Sequence, residues 1–122
     1  MGFTDALRGY ALPIHQRDAF KCTYCGLDGT QSFQNWLSLT QDHLLPESDP
    51  RRNSHEFIVT ACQFCNVSDN RYFEKEQHNG TDFSQINAAQ LLEKKRVGIL
   101  KTRAAYLDFW TKNVKDWQRG HA

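Results

Sequence analysis

From Leu37 the chain alternates. Leu37, Leu39, Gln41, His43 and Leu45 fall on one side of an extended backbone, and Trp36, Ser38, Thr40, Asp42 and Leu44 on the other, because residues two apart share a face of a strand. The spacing predicts a strand ending near Pro46. A second short strand is predicted over residues 56–61, where Ile58, Val59 and Thr60 are β-branched. Residues 46–55 between them are polar and read as a loop. A helix is predicted from about Gln63 to Gln77, with Asn66 and Asn70 four apart and so on one face. After a turn cluster at residues 78–82, Asp82 or Ser84 can cap a long helix running to about Trp117. Leu100, Ala104, Leu107, Trp110, Val114 and Trp117 recur there at spacings of three and four, an apolar stripe. About 34 helical residues would span roughly 50 Å, with Gly98 as the expected bend. Upstream, residues 13–20 predict a short helix or turn.

The four cysteines stand as Cys22-x-x-Cys25 and Cys62-x-x-Cys65. A two-residue gap lets both sulfurs of a pair bind one ion, and two pairs complete a tetrahedral thiolate site for Zn²⁺. Such a closed site holds structure. Gly26 suits the backbone reversal after the first pair.

Composition narrows the class. With 122 residues, one domain with a modest core is expected, and a metal staple would help it. Hydrophobic content of 39% and charged content of 24% are ordinary for a globular protein. No apolar run approaches a membrane span, and residues 1–5 lack a signal-peptide pattern, so a cytoplasmic location is expected. In that reducing setting, paired cysteines bind metal more often than they form disulfides. The net charge of +1 hides an asymmetry. Residues 94–119 carry eight basic and two acidic side chains, a net of +6, against −5 for the rest of the chain. A basic arm on an acidic body suits contact with a phosphate backbone.

Asp42 and His43 lie between the cysteine pairs. Histidine has the pKa of a base that activates water near neutrality. A hard divalent ion, held by oxygen ligands, stabilises charge on a phosphorane. His43 is therefore the candidate base and Asp42 a candidate ligand. Asn66, directly after Cys65, offers a neutral oxygen that the zinc site can bring opposite them, and Asn70 one turn on can add another. On an ideal strand Asp42 and His43 face opposite sides, so a shared site requires the strand's twisted end or edge.

At these residues the sequence resembles the HNH nuclease family, whose core is a ββα-metal (His-Me finger) motif. The resemblance covers about residues 13–77. It rests on Arg17-Asp18-x-Phe20-Lys21-Cys22-x-Tyr24-Cys25-Gly26, on Asp42-His43-Leu44-x-Pro46 and on Val59-Thr60-Ala61-Cys62-x-x-Cys65-Asn66. It implies structural Zn²⁺ on the four cysteines, His43 as general base and Asp42 as ligand of a catalytic ion, Mg²⁺ or Mn²⁺. In members similar to the phage junction resolvases of the endonuclease VII type, an asparagine directly after the last cysteine is a metal ligand, which implies that role for Asn66. The family's middle asparagine falls at Phe57 here, with Asn53 and His55 the nearest polar residues. Where many members carry a lysine after the last motif, this chain has Asp69, with Arg71 nearby as a phosphate contact.

The expectation is an α+β fold over residues 1–122, with an HNH core at 13–77 and a basic helical arm at 82–119. The expected activity is metal-dependent cleavage of double-stranded or branched DNA. Asp42, His43 and Asn66 would form the catalytic group, and Arg51, Arg52, Arg71, Lys94, Lys95 and Arg96 the DNA contacts. The apolar stripe of the arm could pair two chains. Two rivals predict no hydrolysis: a zinc-knuckle module that binds nucleic acid or protein, and a structural subunit whose helix recruits a partner. Specificity for sequence or structure is not encoded in any recognisable segment.

Overall fold

The computed structural model describes residues 9–69 and 71–121. A 3₁₀ turn at Gly9–Ala11 leads into α1 (Leu12–Arg17), then α2 (Phe33–Leu37), β1 (Leu39–His43), β2 (Ile58–Cys62) and α3 (Gln63–Val67). Then come α4 (Tyr72–His78), α5 (Ala88–Asn113) and α6 (Trp117–His121), with further 3₁₀ turns at His55–Phe57 and Phe83–Gln85. The architecture is mixed α and β, with a two-stranded sheet and a long C-terminal helix. No helix among the described residues is long and apolar enough to cross a membrane.

Local chemistry explains most boundaries. Pro13 sits in the first turn of α1, where its missing N–H costs nothing. Ser32 caps α2 by accepting from the Asn35 N–H at 3.0 Å. α5 starts at a reciprocal capping box between Asn87 and Gln90. This corrects the expected start: Asp82 caps the 3₁₀ turn instead, accepting from the Ser84 N–H. Gly98 lies inside α5 and does not end it. The break comes at residues 114–116, before α6. The single helix expected over residues 63–77 is two helices, with a turn at residues 68 and 69 after which the Tyr72 N–H bonds the Asp69 carbonyl at 3.1 Å. Asn70 lies between them, outside the described residues.

β1 and β2 are antiparallel, with Asp42 opposite Val59, His43 opposite Ile58 and Gln41 opposite Thr60. The expected first strand is shorter at both ends. β2 begins at Ile58 and extends through Cys62. One face of this ribbon meets α1, where His15 Nδ1 lies 2.7 Å from Thr60 Oγ1. The other face carries Val59 and Ala61 into a core with Leu91 and Ile99 of α5, Phe83 and Leu44. Burying side chains such as Leu91 and Ile99 stabilises the packing by about 1.5–3 kcal/mol each. Leu91, Lys95 and Ile99 recur every fourth residue and form the buried stripe of α5. Beyond residue 102 every described side chain is exposed, with Arg103 and Tyr106 still resting on the Phe64 ring of α3.

Arg17 and Asp18 tie the first segment to the ribbon. The Arg17 guanidinium donates to the carbonyls of Ile58 at 2.6 Å and His55 at 2.8 Å, and Asp18 accepts from the Thr60 N–H at 2.8 Å.

Candidate active site and metal centre

The two cysteine pairs meet at the C-terminal end of β2. The first pair is a tight turn: the Gly26 N–H donates to the Cys22 carbonyl at 2.9 Å, and Gly26 adopts φ +81°. That left-handed conformation favours glycine. The turn is strapped to β2 by the Thr23 N–H and hydroxyl, each donating to the Thr60 carbonyl at 2.9 Å. Cys62 ends β2 and Cys65 lies one turn into α3. All four sulfurs fall within 4.8 Å of one another. Cys25 and Cys62 Sγ are 3.8 Å apart, and a tetrahedron with 2.3 Å Zn–S bonds has edges of about 3.8 Å. Hydrogen bonding from Cys62 lowers Cys22 to about 4. Burial and the Cys22 charge push Cys65 up to about 12. Four soft donors with one easily formed thiolate make a cluster that suits Zn²⁺.

His43 is the last residue of β1. It lines a shallow cleft of about 250 Å³ with His15, Tyr10, Leu39 and Gln41. Burial, then the charge of Arg52, lowers its pKa below the usual histidine value, while Asp42 and a side-chain hydrogen bond with Asn53 act in the opposite sense. The imidazole is therefore neutral at physiological pH, as a general base must be. Asn53 comes from the loop between the strands. It meets His43 although Phe57 fills the position that motif spacing assigns to an orienting asparagine. Arg52 precedes it, and among the described residues its buried Nε has no hydrogen-bond partner.

Asp42 is found elsewhere. The alternation of β1 turns it to the opposite face, where both its oxygens lie 2.9 Å from Lys95 Nζ. The Tyr24 hydroxyl also donates to it. Burial and the Asp42 charge push the Tyr24 phenol far up, so it remains a donor. Asn66 lies on α3 and uses its amide nitrogen to bond Thr40 Oγ1 at 2.9 Å and the Gln41 carbonyl at 3.0 Å. It braces α3 against β1. The expected group of Asp42, His43 and Asn66 is thus not assembled around one ion. Asp42 and Asn66 do not fit Mg²⁺ or Mn²⁺ in this arrangement: the carboxylate has its own cation, and the amide is turned to its strand contacts.

The expected basic contacts also divide. Lys95 is corrected from a surface cation to a core residue, because the period of α5 turns it inward. Its neighbours Lys94 and Arg96 stay partly exposed, Lys94 near Glu76 at 3.3 Å and Arg96 donating to the Tyr24 carbonyl at 3.2 Å. Arg51 is held by Asp49 at 2.9 Å and by the Phe83 carbonyl at 3.2 Å, over the Phe57 ring. Arg71 is exposed and pairs with Glu74. His15 was not singled out by any motif. A lone histidine ahead of the first cysteine pair carries no spacing signal, and only the packing of α1 brings it into the His43 cleft. Compared with protein-family models, curated proteins and solved structures, the chain finds no match.

Proposed function

We propose that this chain is an HNH-type nuclease that hydrolyses DNA phosphodiester bonds with His43 as general base. The observation that carries the reading is the surroundings of His43: a neutral imidazole steadied by Asn53 in a surface cleft, with the Arg52 charge nearby. A phosphate is the anion that Arg52 and a water-activating histidine would meet together. The order strand, strand, helix, joined by a four-cysteine cluster, supports a ββα-metal core with structural Zn²⁺.

In this reading His43 takes a proton from water as the water oxygen attacks phosphorus. The bond to the 3′ oxygen breaks, solvent protonates that oxygen, and the products carry 5′-phosphate and 3′-hydroxyl ends. Arg52 offsets charge on the phosphorane. Asn53 fixes the imidazole's orientation, and Asn66 fixes the height of β1 over α3.

The Lys95–Asp42 pair favours a second reading, a zinc-knuckle module that binds nucleic acid without cutting it, since a chain that only binds needs no catalytic ion. Supercoiled plasmid at low salt separates the two. Zinc-loaded protein and His43→Ala of equal zinc content are incubated with Mg²⁺, with Mn²⁺ and with neither. Cleavage lost in His43→Ala supports the nuclease. Retention of DNA in a gel shift with no cleavage by either protein supports the binding module.

A further inference from the structure

Lys95 has the surroundings of a bound ion. Its ammonium carries three N–H donors. Three acceptors face it: Asp42 Oδ1 and Oδ2 at 2.9 Å and the His43 carbonyl at 3.3 Å. The side chains of Lys95 and Asp42 are only 5% and 6% exposed. The rings of Tyr72 and Phe73 lie 5.4 and 5.1 Å from Nζ. Aromatic faces attract an ammonium but offer no oxygen to a divalent ion. Mg²⁺ demands octahedral oxygen at about 2.0–2.1 Å and keeps much of its water. The walls therefore suit the lysine, and its ammonium occupies both Asp42 oxygens that a metal would need.

The pair joins distant parts of the chain. Lys95 stands on the buried stripe of α5 between Leu91 and Ile99, and Asp42 is 53 residues earlier on β1. A divalent ion at Asp42 would have to displace the ammonium and leave it buried without its counter-charge, which is strongly unfavourable.

We propose that Lys95 is the resident cation of Asp42 and excludes divalent metal from it. Zn²⁺ on the cysteine cluster would then be the one tightly held metal among the described residues. Only one consequence rests on the nuclease reading: cleavage through His43 would proceed without an added divalent ion at Asp42.

The test is Mn²⁺ binding to the zinc-loaded full chain, read from the free-ion electron paramagnetic resonance signal with no nucleic acid present. Wild type is expected to leave the signal unchanged up to millimolar protein. Lys95→Met is expected to remove signal in proportion to protein, and the double variant Asp42→Asn/Lys95→Met to restore it. Stoichiometric Mn²⁺ binding by wild type that Asp42→Asn abolishes would overturn the proposal. So would a folded Lys95→Met that binds no Mn²⁺. If Lys95→Met does not fold, the comparison of wild type with Asp42→Asn decides. Failure of the nuclease reading is seen separately, in the plasmid assay.

Discussion

Lys95 and Asp42 form a buried ion pair in which one ammonium spans both carboxylate oxygens at 2.9 Å. Removing one partner strands the other, and buried pairs broken in this way lose about 3–5 kcal/mol. Lys95→Met should therefore lower unfolding free energy by several kcal/mol. Asp42→Asn/Lys95→Met should lose less than Lys95→Met alone, because no buried charge is orphaned. Urea unfolding of the single and double variants measures the coupling, and additive losses would show that the pair does not act as a unit.

Burial and Arg52 hold the His43 pKa below 6.5, the ordinary value. Both folded and unfolded chains have a neutral His43 above the ordinary value, so the group adds no pH dependence there. As pH falls below it, the unfolded chain takes up the proton first, and stability declines until the folded chain is also protonated. Cleavage should follow the same window: an acid limb with its midpoint below 6.5, and a plateau at neutral pH. The imidazole C2–H resonance, assigned by its loss in His43→Ala, reports the midpoint. Arg52→Gln should raise it by removing a nearby positive charge, and Asn53→Ala should lower it by removing a bond that favours the protonated ring. A midpoint at or above 6.5 would contradict the burial argument.

The faces of β1 were legible from alternation alone, which separated Asp42 from His43 before any packing was known. The cysteine spacing foretold the cluster for a similar reason: a two-residue gap constrains geometry locally. Lys95 was not legible. In the sequence it belongs to the run Lys94-Lys95-Arg96. Only the rotation of α5, fixed by Leu91 and Ile99, decides which of the three turns inward. The start of α5 was misplaced because Asp82, Ser84 and Asn87 are all competent caps, and the reciprocal bond to Gln90 favours Asn87. Asn53 was legible only as one of two polar residues near the family's missing middle asparagine, beside His55, because a loop has no period to read, and its reach to His43 depends on the turns between Pro46 and Phe57.

Metal removal should act on the fold before it acts on chemistry. The cysteine cluster joins the turn at residues 22–25 to the junction of β2 and α3, and those elements position β1. Binding free energy at such a site contributes directly to folding. Chelation by a membrane-free, high-affinity zinc chelator, or Cys62→Ser, should lower the thermal midpoint and reduce far-ultraviolet circular dichroism. Zinc released per chain, followed with a metallochromic dye, should track the loss. A protein that keeps its thermal midpoint after complete zinc removal would show that the cluster is dispensable to the fold.

The exposed arm of α5 and α6 invites a second copy of the chain. Tyr106, Leu107, Phe109, Trp110, Val114 and Trp117 are between 46% and 63% exposed. Within α5, Leu100 and Leu107 are seven residues apart and Trp110 falls three after Leu107, the spacing of a helix–helix seam; Val114 and Trp117 lie past its end. A groove of about 500 Å³ beside Phe64 continues the same face toward the body. Past the Tyr106–Phe64 contact the helix has little packing, and such a segment is marginal in water, so pairing would also stabilise its last turns. We propose that two arms pack together, which would set two His43 sites in one particle. Sedimentation should show a dimer that Leu107→Glu and Trp110→Glu convert to monomer, with the zinc content and thermal midpoint of the body preserved, since both residues lie outside its core. Monomer at every concentration would exclude pairing, and salt-sensitive DNA binding lost on substitution of Lys101 and Arg103 would then assign the arm to nucleic acid.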